Sequence, residues 1–128
     1  MGFHEDRKNN RGKDLINYGR VEQALKRLAE TDQLAADLKA DVERSKLKAK
    51  AIHSACMVRV KGTVAEREAA ADNAPEYQDA MDEYFKAIEL YEGIRNERSR
   101  QQLVLEVWRS IPQEVRASDP MIRKGYET

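Results

Sequence analysis

The sequence of 128 residues has few residues that interrupt helices and few that favour sheets. It contains six glycines, three prolines and 6% aromatic residues, against 36% charged residues. This balance is typical of long helices and disfavours a fold built from sheets. The length suits one domain and is short for two.

Cysteine and long apolar runs are also scarce. Because Cys56 is the only cysteine, no disulfide can form within the chain, and we expect a reducing, intracellular setting. The opening residues, MGFHEDRKNNRGKD, are polar and do not have the apolar core of a signal peptide. No apolar run approaches the length that crosses a bilayer. The sequence therefore predicts a soluble, cytoplasmic protein with no membrane partner.

The patterns that usually mark an active site are missing as well. The two histidines, His4 and His53, have no accompanying repeat of metal-ligand residues, and there is no phosphate-binding glycine loop or nucleophile elbow. Position favours a surface role for His53 and a buried, structural thiol for Cys56. We expect a protein that is not an enzyme and that uses no metal and no cofactor.

Helical periodicity divides the chain into three parts. Residues 1–13 carry charge, Asn and Gly with little to bury, which predicts a disordered basic and polar tail. Residues 14–111 form the predicted helical domain for oligomerisation and binding. Residues 112–128 are expected to be a C-terminal tail with at most one short turn.

The first helical region has an apolar stripe from Leu15 to Val60 that is interrupted once. At ETDQ, Thr31 or Asp32 has the side chain of a helix N-cap and could start a second helix. One helix or two over residues 20–60 are both compatible with the pattern.

A corner follows in KGTVAEREAAADNAPEY, residues 61–77. Gly62 stands where a helix end favours positive φ, and Thr63 with Glu66 has the spacing of a capping box for a short helix. Pro75 suits the first position of the next helix, where its missing N–H costs nothing. The segment therefore predicts a turn that folds one long helix back towards another.

The second long helix is expected from Pro75 to about Ser110, with Pro112 ending it. Its seam follows a coiled-coil repeat, and LVLEVW near its end is apolar nearly all round. A hairpin of two such helices has too little interior to cover these surfaces. The predicted fold is therefore all-α, a long helical hairpin with a short corner helix, completed by homo-oligomerisation. The predicted interface residues are Tyr77, Met81, Tyr84, Ile88, Tyr91, Arg95, Arg98, Leu105 and Trp108.

Charge is segregated although the formal net charge is zero. Six basic residues and no acidic one lie from Arg44 to Lys61, and nine acidic residues face two basic ones from Glu66 to Glu92. The basic run is either a solvated helix face or a surface that follows a polyanion backbone. On the second interpretation the DNA-binding residues are Lys46, Lys48, Lys50, His53, Arg59 and Lys61, with Lys46, Lys50 and His53 on one helix face.

Aromatic and basic residues of the second helix have packing interpretations, and two of these features also have an alternative. Trp108 and the tyrosines of the seam favour packing in a core or interface, with base stacking as the alternative for Trp108. Arg95 and Arg98 either fix the register by pairing with acidic residues of a neighbour or line a basic surface.

Taken in order, ERSKLKAKAIHSACMVRV, GTVAEREAAA, APEYQDAMDEY and YEGIRNERSRQQLVLEVWRS resemble a group of small phage-encoded proteins related to the UvsY recombination mediators. The resemblance spans about residues 20–110. It implies a helical protein that assembles into a homo-oligomer such as a ring, binds single-stranded DNA, and helps to load a RecA-like recombinase in competition with single-strand-binding protein. The implied location is the host-cell cytoplasm. A phage structural, scaffolding or adaptor protein with no nucleic-acid role is the alternative.

Overall fold

A computed structural model describes residues 17–126, and these residues form four helices and no strand. Helix α1 covers Tyr18–Val58, α2 covers Val64–Asp72, α3 covers Pro75–Ser110, and α4 covers Gln113–Ser118. Two long helices joined by a short corner helix confirm the predicted all-α hairpin. The tail predicted over residues 1–13 lies outside the described residues.

The helix boundaries follow the local signals in the corner. Gly62 has a φ of 141°, a conformation that L side chains rarely adopt, and it separates α1 from α2. Thr63 is the N-cap of α2, where its Oγ1 accepts a hydrogen bond of 3.2 Å from the Glu66 amide. Helix α3 begins at Pro75, as predicted.

Helix α1 continues through ETDQ without a break, so of the two alternatives left open for residues 20–60 the structure has one helix, and no second helix starts at Thr31 or Asp32. The Thr31 hydroxyl does not cap a helix; it donates a hydrogen bond of 2.7 Å to the Arg27 carbonyl, one turn earlier. It also accepts a bond of 2.8 Å from Arg98 of α3. The residue that resembles a cap is therefore used in a buried tertiary contact.

The described part of the chain divides into two compact units, the first formed by residues 17–32 with residues 96–126 and the second by Gln33–Arg95. In the first unit, the beginning of α1 packs antiparallel to the end of α3. Arg27 makes a two-point ion pair with Glu97, and this hydrogen bonding lowers the pKa of the Glu97 carboxyl. Val21 and Ala24 are buried at this contact.

The segment after Pro112 is more ordered than the predicted tail. After α4, the chain returns to the start of α1, where the Tyr18 amide donates to the Ile122 carbonyl at 2.7 Å and the Gly19 amide donates to the Lys124 carbonyl at 2.8 Å. The first N–H groups of a helix have no partner within it, so this segment supplies acceptors that α1 itself cannot provide. The sequence reveals no such pairing because the residues are far apart along the chain.

In the second unit, α1 and α3 approach through small side chains. The buried apolar residues of the unit are Ala49, Cys56, Ala71, Ala80, Ala87 and Ile94. Because alanine occupies little space, the helices pack closely but bury little apolar area per residue. Ion pairs at the edges add contacts between the helices, among them Lys48 with Glu83 at 2.9 Å and Arg59 with Glu76 at 2.8 Å.

Candidate nucleic-acid interface

A groove of about 450 Å³ lies in the second unit between α1 and α3. Its residues are Lys46, Ala49, Lys50, His53 and Ser54 from α1, and Tyr77, Met81 and Tyr84 from α3. The groove thus combines cationic and aromatic side chains on one surface.

Helical spacing explains this composition. Lys46, Lys50 and His53 are separated by four and three positions, which places them on one face of α1, as the sequence predicts. Tyr77 and Tyr84 are seven positions apart on α3 and fall on one face by the same rule. Both tyrosines are half-buried. Since buried Ala49 occupies little space, the basic residues and the tyrosines line one groove.

His53 is fixed by two contacts within this groove. Its ring lies edge-on to Tyr77, with centroids 4.7 Å apart and an interplanar angle of 66°. Its Nε2 lies 2.7 Å from Asp72 Oδ1, a hydrogen-bonding distance, at the end of α2. The carboxylate offsets positive charge at this end of the groove and holds the imidazole in one orientation.

Lys46 and Lys50 provide the free positive charge of the groove. Both side chains are exposed, and neither forms an ion pair with any residue between 17 and 126. Two unpaired ammonium groups beside two tyrosine rings can contact phosphates while bases stack on the rings. This is the chemistry that the arrangement supports best.

The other predicted DNA-binding residues do not line this groove. Lys48 pairs with Glu83, and Arg59 pairs with Glu76, so each has a carboxylate partner in its own unit. Lys61 is exposed in the corner, just before Gly62. The sequence-predicted set therefore divides into Lys46, Lys50 and His53 in the groove and Lys48, Arg59 and Lys61 outside it.

Cys56 belongs to a small polar cluster next to this surface. Its thiol donates to Glu76 Oε2 at 3.2 Å, and Arg59 Nη2 lies 2.8 Å from the same oxygen. The hydrogen bond to Glu76, followed by burial, raises the pKa of the Cys56 thiol. The thiol and then Arg59 lower the pKa of Glu76. A neutral thiol is a weak nucleophile, so this arrangement supports a structural role for Cys56.

The residues predicted to form an oligomer interface have different environments. The groove is lined in part by three of them, Tyr77, Met81 and Tyr84. These three residues therefore cannot contact DNA and a second copy of the chain at the same time. Arg95 pairs with Glu92 on its own helix at 3.3 Å, and Arg98 bonds to α1 of its own chain. The remaining members are half-buried, namely Ile88, Tyr91, Leu105 and Trp108.

The acidic partners of the basic run are the contacts that the sequence did not predict. The acidic segment after Lys61 contains these partners, Asp72, Glu76 and Glu83. The opposite charge of the basic and acidic segments was the one sequence signal that pointed to such pairs. Which acid meets which base depends on the register of the hairpin, and that register is not encoded in either segment alone.

Within residues 17–126, no group of three or more His, Cys, Asp or Glu side chains is arranged to hold a metal ion. No helix in the same range is both long and apolar enough to span a membrane. Comparison with protein-family models, curated proteins and solved structures found no match to the chain.

Proposed function

We propose that this chain is a non-enzymatic accessory protein of DNA recombination that acts like a mediator. It binds single-stranded DNA weakly and without sequence preference, and it helps to load a RecA-like recombinase in competition with single-strand-binding protein. The observation that carries the proposal is the groove in which Lys46, Lys50 and His53 face Tyr77 and Tyr84. The resemblance of residues 20–110 to recombination mediators supports the same conclusion.

The composition of the groove favours single strands over duplex DNA. Tyrosine rings stack on any base whose face is accessible, and base–aromatic stacking contributes about 1–3 kcal/mol per base. The bases of a duplex are already stacked on one another. Two lysines beside the rings supply backbone contacts that do not depend on sequence.

The nearby acidic residues keep this binding weak. Asp72 lies against His53, and Glu83 and Glu76 neutralise Lys48 and Arg59. A mediator must release its strand to the recombinase, so modest affinity per subunit suits the role.

Homo-oligomerisation is part of the proposal. Large apolar side chains that stay more than two-fifths exposed include Leu25, Leu34, Leu47, Val58, Phe85, Leu90 and Leu103. Burial of some of them in a second copy would stabilise a hairpin whose own core consists largely of alanine. An oligomer would also repeat one weak DNA groove several times, which raises the avidity for a long strand.

The DNA contact is tested by fluorescence anisotropy of labelled oligo(dT) over a salt series. The double variant Lys46→Ala/Lys50→Ala should weaken binding and reduce the salt slope by about 0.7 for each phosphate that is no longer neutralised. The matched control is Lys39→Ala/Lys86→Ala, which removes the same charge from two exposed lysines of the same unit outside the groove. Equal weakening by both variants would contradict a specific groove, and no binding at low salt would refute DNA binding.

The mediator role needs a functional measurement. A RecA-like recombinase should assemble faster on DNA covered by single-strand-binding protein when this chain is present, as followed by DNA-dependent ATP hydrolysis. The groove variant should lose this stimulation while the control variant retains it. Groove-dependent DNA binding without any stimulation would refute the mediator role alone.

A phage structural or adaptor protein is the second candidate. It is favoured by the pairing of Lys48 and Arg59 with carboxylates of their own unit, which leaves less of the basic run available to DNA. A chain that forms a stable oligomer but does not bind oligo(dT) at low salt would support this candidate.

A further inference from the structure

A second cavity, of about 530 Å³, lies in the first unit, where α4 and the following residues fold over the start of α1 and the end of α3. Its lining is Tyr18, Trp108, Gln113, Arg116, Ala117, Arg123 and Tyr126. The volume lies within the range of about 300–1,000 Å³ typical of small-molecule sites. We call it the aromatic–arginine pocket.

Three rings form the aromatic part of the pocket. Tyr18 lies edge-on to Tyr126, with centroids 4.8 Å apart, and edge-on to Trp108, with centroids 6.0 Å apart. Hydrogen bonds from the Tyr18 and Gly19 amides to the carbonyls of Ile122 and Lys124 hold Tyr18 beside the segment that carries Tyr126. The aromatic surface therefore comes from three separate parts of the chain and exists only when the C-terminal segment is docked.

Two guanidinium groups accompany the rings. Arg116 lies over the Trp108 ring and Arg123 over the Tyr126 ring, each 5.6 Å from the ring centroid. Unlike Arg27, neither has a carboxylate partner among residues 17–126. The Arg116 Nε is buried and meets no hydrogen-bond acceptor in the described part of the chain.

Charge in the pocket is of one sign, because its lining contains two arginines and no acidic residue. Glu22, whose negative charge raises the pKa of Tyr18, lies one turn further along α1 and is not part of the lining. An anionic group would therefore find two unpaired donors and no opposing carboxylate in the lining.

We infer that the aromatic–arginine pocket binds a nucleobase that carries a phosphate group. The rings offer stacking surface for the base, and Arg116 and Arg123 offer charge-assisted hydrogen bonds to the phosphate. Gln113 is a neutral donor and acceptor suited to a base edge or sugar. The ligand is either a free mononucleotide or one nucleotide of a single strand. This site does not depend on the groove of the other unit.

Trp108 is the only tryptophan, so its fluorescence reports on the pocket without a label. The full chain is titrated with adenosine 5′-monophosphate, with adenosine, and with inorganic phosphate. The mononucleotide should change the emission saturably and bind more tightly than either fragment. No saturable change, or a response to phosphate as strong as to the mononucleotide, would overturn the inference.

Charge-removing variants test the arginines. Arg116→Gln and Arg123→Gln should each weaken mononucleotide binding roughly tenfold or more, which corresponds to loss of a hydrogen bond to a charged group. Arg100→Gln is the matched control, because Arg100 is exposed on α3 and does not line the pocket. If Arg100→Gln weakens mononucleotide binding as much as each of the two test variants does, the inference is overturned. Circular dichroism checks that each variant is folded. If one of the two arginine variants is unstable, the other still tests the inference.

The source of the nucleotide is distinguished by competition. If a short oligo(dT) displaces the mononucleotide and binds more tightly, the pocket is a second contact for single strands. If the oligonucleotide does not compete, the ligand is a free mononucleotide. Lys46→Ala/Lys50→Ala should leave the Trp108 response to the mononucleotide unchanged. The groove proposal is refuted by the oligo(dT) measurements and the pocket proposal by the Trp108 titration, so the two can fail separately.

Discussion

Arg98 on α3 donates a hydrogen bond of 2.8 Å to the hydroxyl of Thr31 on α1, and the same nitrogen donates at 2.8 Å to the Leu28 carbonyl. Thr31 is 1% exposed, whereas the nearby Asp32 that Arg98 also contacts is largely exposed. This contact joins the two long helices within the first unit. It also fixes which residue of α1 lies opposite Arg98.

Replacement of Arg98 by alanine should lower the free energy of unfolding by about 1.5–3 kcal/mol, the usual contribution of hydrogen bonds to a charged group. Arg95→Ala is the control, since Arg95 makes only an exposed ion pair one turn away, and its removal should cost less than about 0.5 kcal/mol. Urea unfolding measures both variants. Similar decreases for the two would contradict the assigned role of Arg98.

Gly93 lies inside α3, and a Cβ built there would meet nothing within 4 Å. Gly93→Ala should therefore stabilise the protein by about 0.5–1 kcal/mol, because alanine loses less backbone entropy in a helix. Thermal or urea unfolding detects this change. A destabilised variant would contradict the open space around this position.

Gly125→Ala should have the opposite effect. A Cβ at Gly125 would lie 2.6 Å from Gly19 Cα and 2.8 Å from Gly19 N, and its φ of 96° disfavours other residues. Since backbone atoms cannot move aside easily, we expect the free energy of unfolding to fall by about 1–3 kcal/mol. Hydrogen exchange at the Tyr18 and Gly19 amides should accelerate more than exchange in the second unit. Unchanged protection there would contradict the close contact.

Acid should destabilise the protein through Glu97 and Glu76. Hydrogen bonds from Arg27 to Glu97, and from Cys56 and Arg59 to Glu76, lower both pKa values from the ordinary 4.5. The unfolded chain therefore takes up protons first, and the stabilisation present above 4.5 is lost as the pH falls through the lowered values. Urea unfolding from about pH 6 to about pH 3 measures the decrease. Glu97→Gln should show a smaller decrease, and an unchanged pH profile would contradict the pairing.

Asp72→Asn should strengthen oligo(dT) binding, because it removes the carboxylate that faces His53 in the groove. As the pair is exposed, we expect a gain of up to about fivefold. Asp79→Asn is the control, with the same change of charge on an exposed residue of α3 outside the groove. A gain that is equal in both variants would indicate a general charge effect and contradict a specific role for Asp72.

Local sequence signals were sufficient to predict the helix boundaries. The features that the sequence did not predict are contacts between residues far apart along the chain. Gly62, Thr63 and Pro75 act through their own backbone conformation or their nearest neighbours, so their roles are visible in the sequence. Thr31 has the same chemistry as a cap, but Arg98 lies far along the chain and changes its role. Helical spacing likewise predicted that Lys46 and Lys50 share one face of α1. It did not predict that Glu83 and Glu76 pair with Lys48 and Arg59.

The docking of residues 119–126 on the start of α1 also has a consequence for biosynthesis. The amides of Tyr18 and Gly19 are synthesised before α3, whereas their acceptors at Ile122 and Lys124 are made only after α3 is complete. The first turn of α1 therefore remains without these partners until α3 and the segment that follows it have been synthesised. Chaperones and proteases would encounter the nascent first unit with this end open, and closure of the aromatic–arginine pocket would complete the packing of that unit.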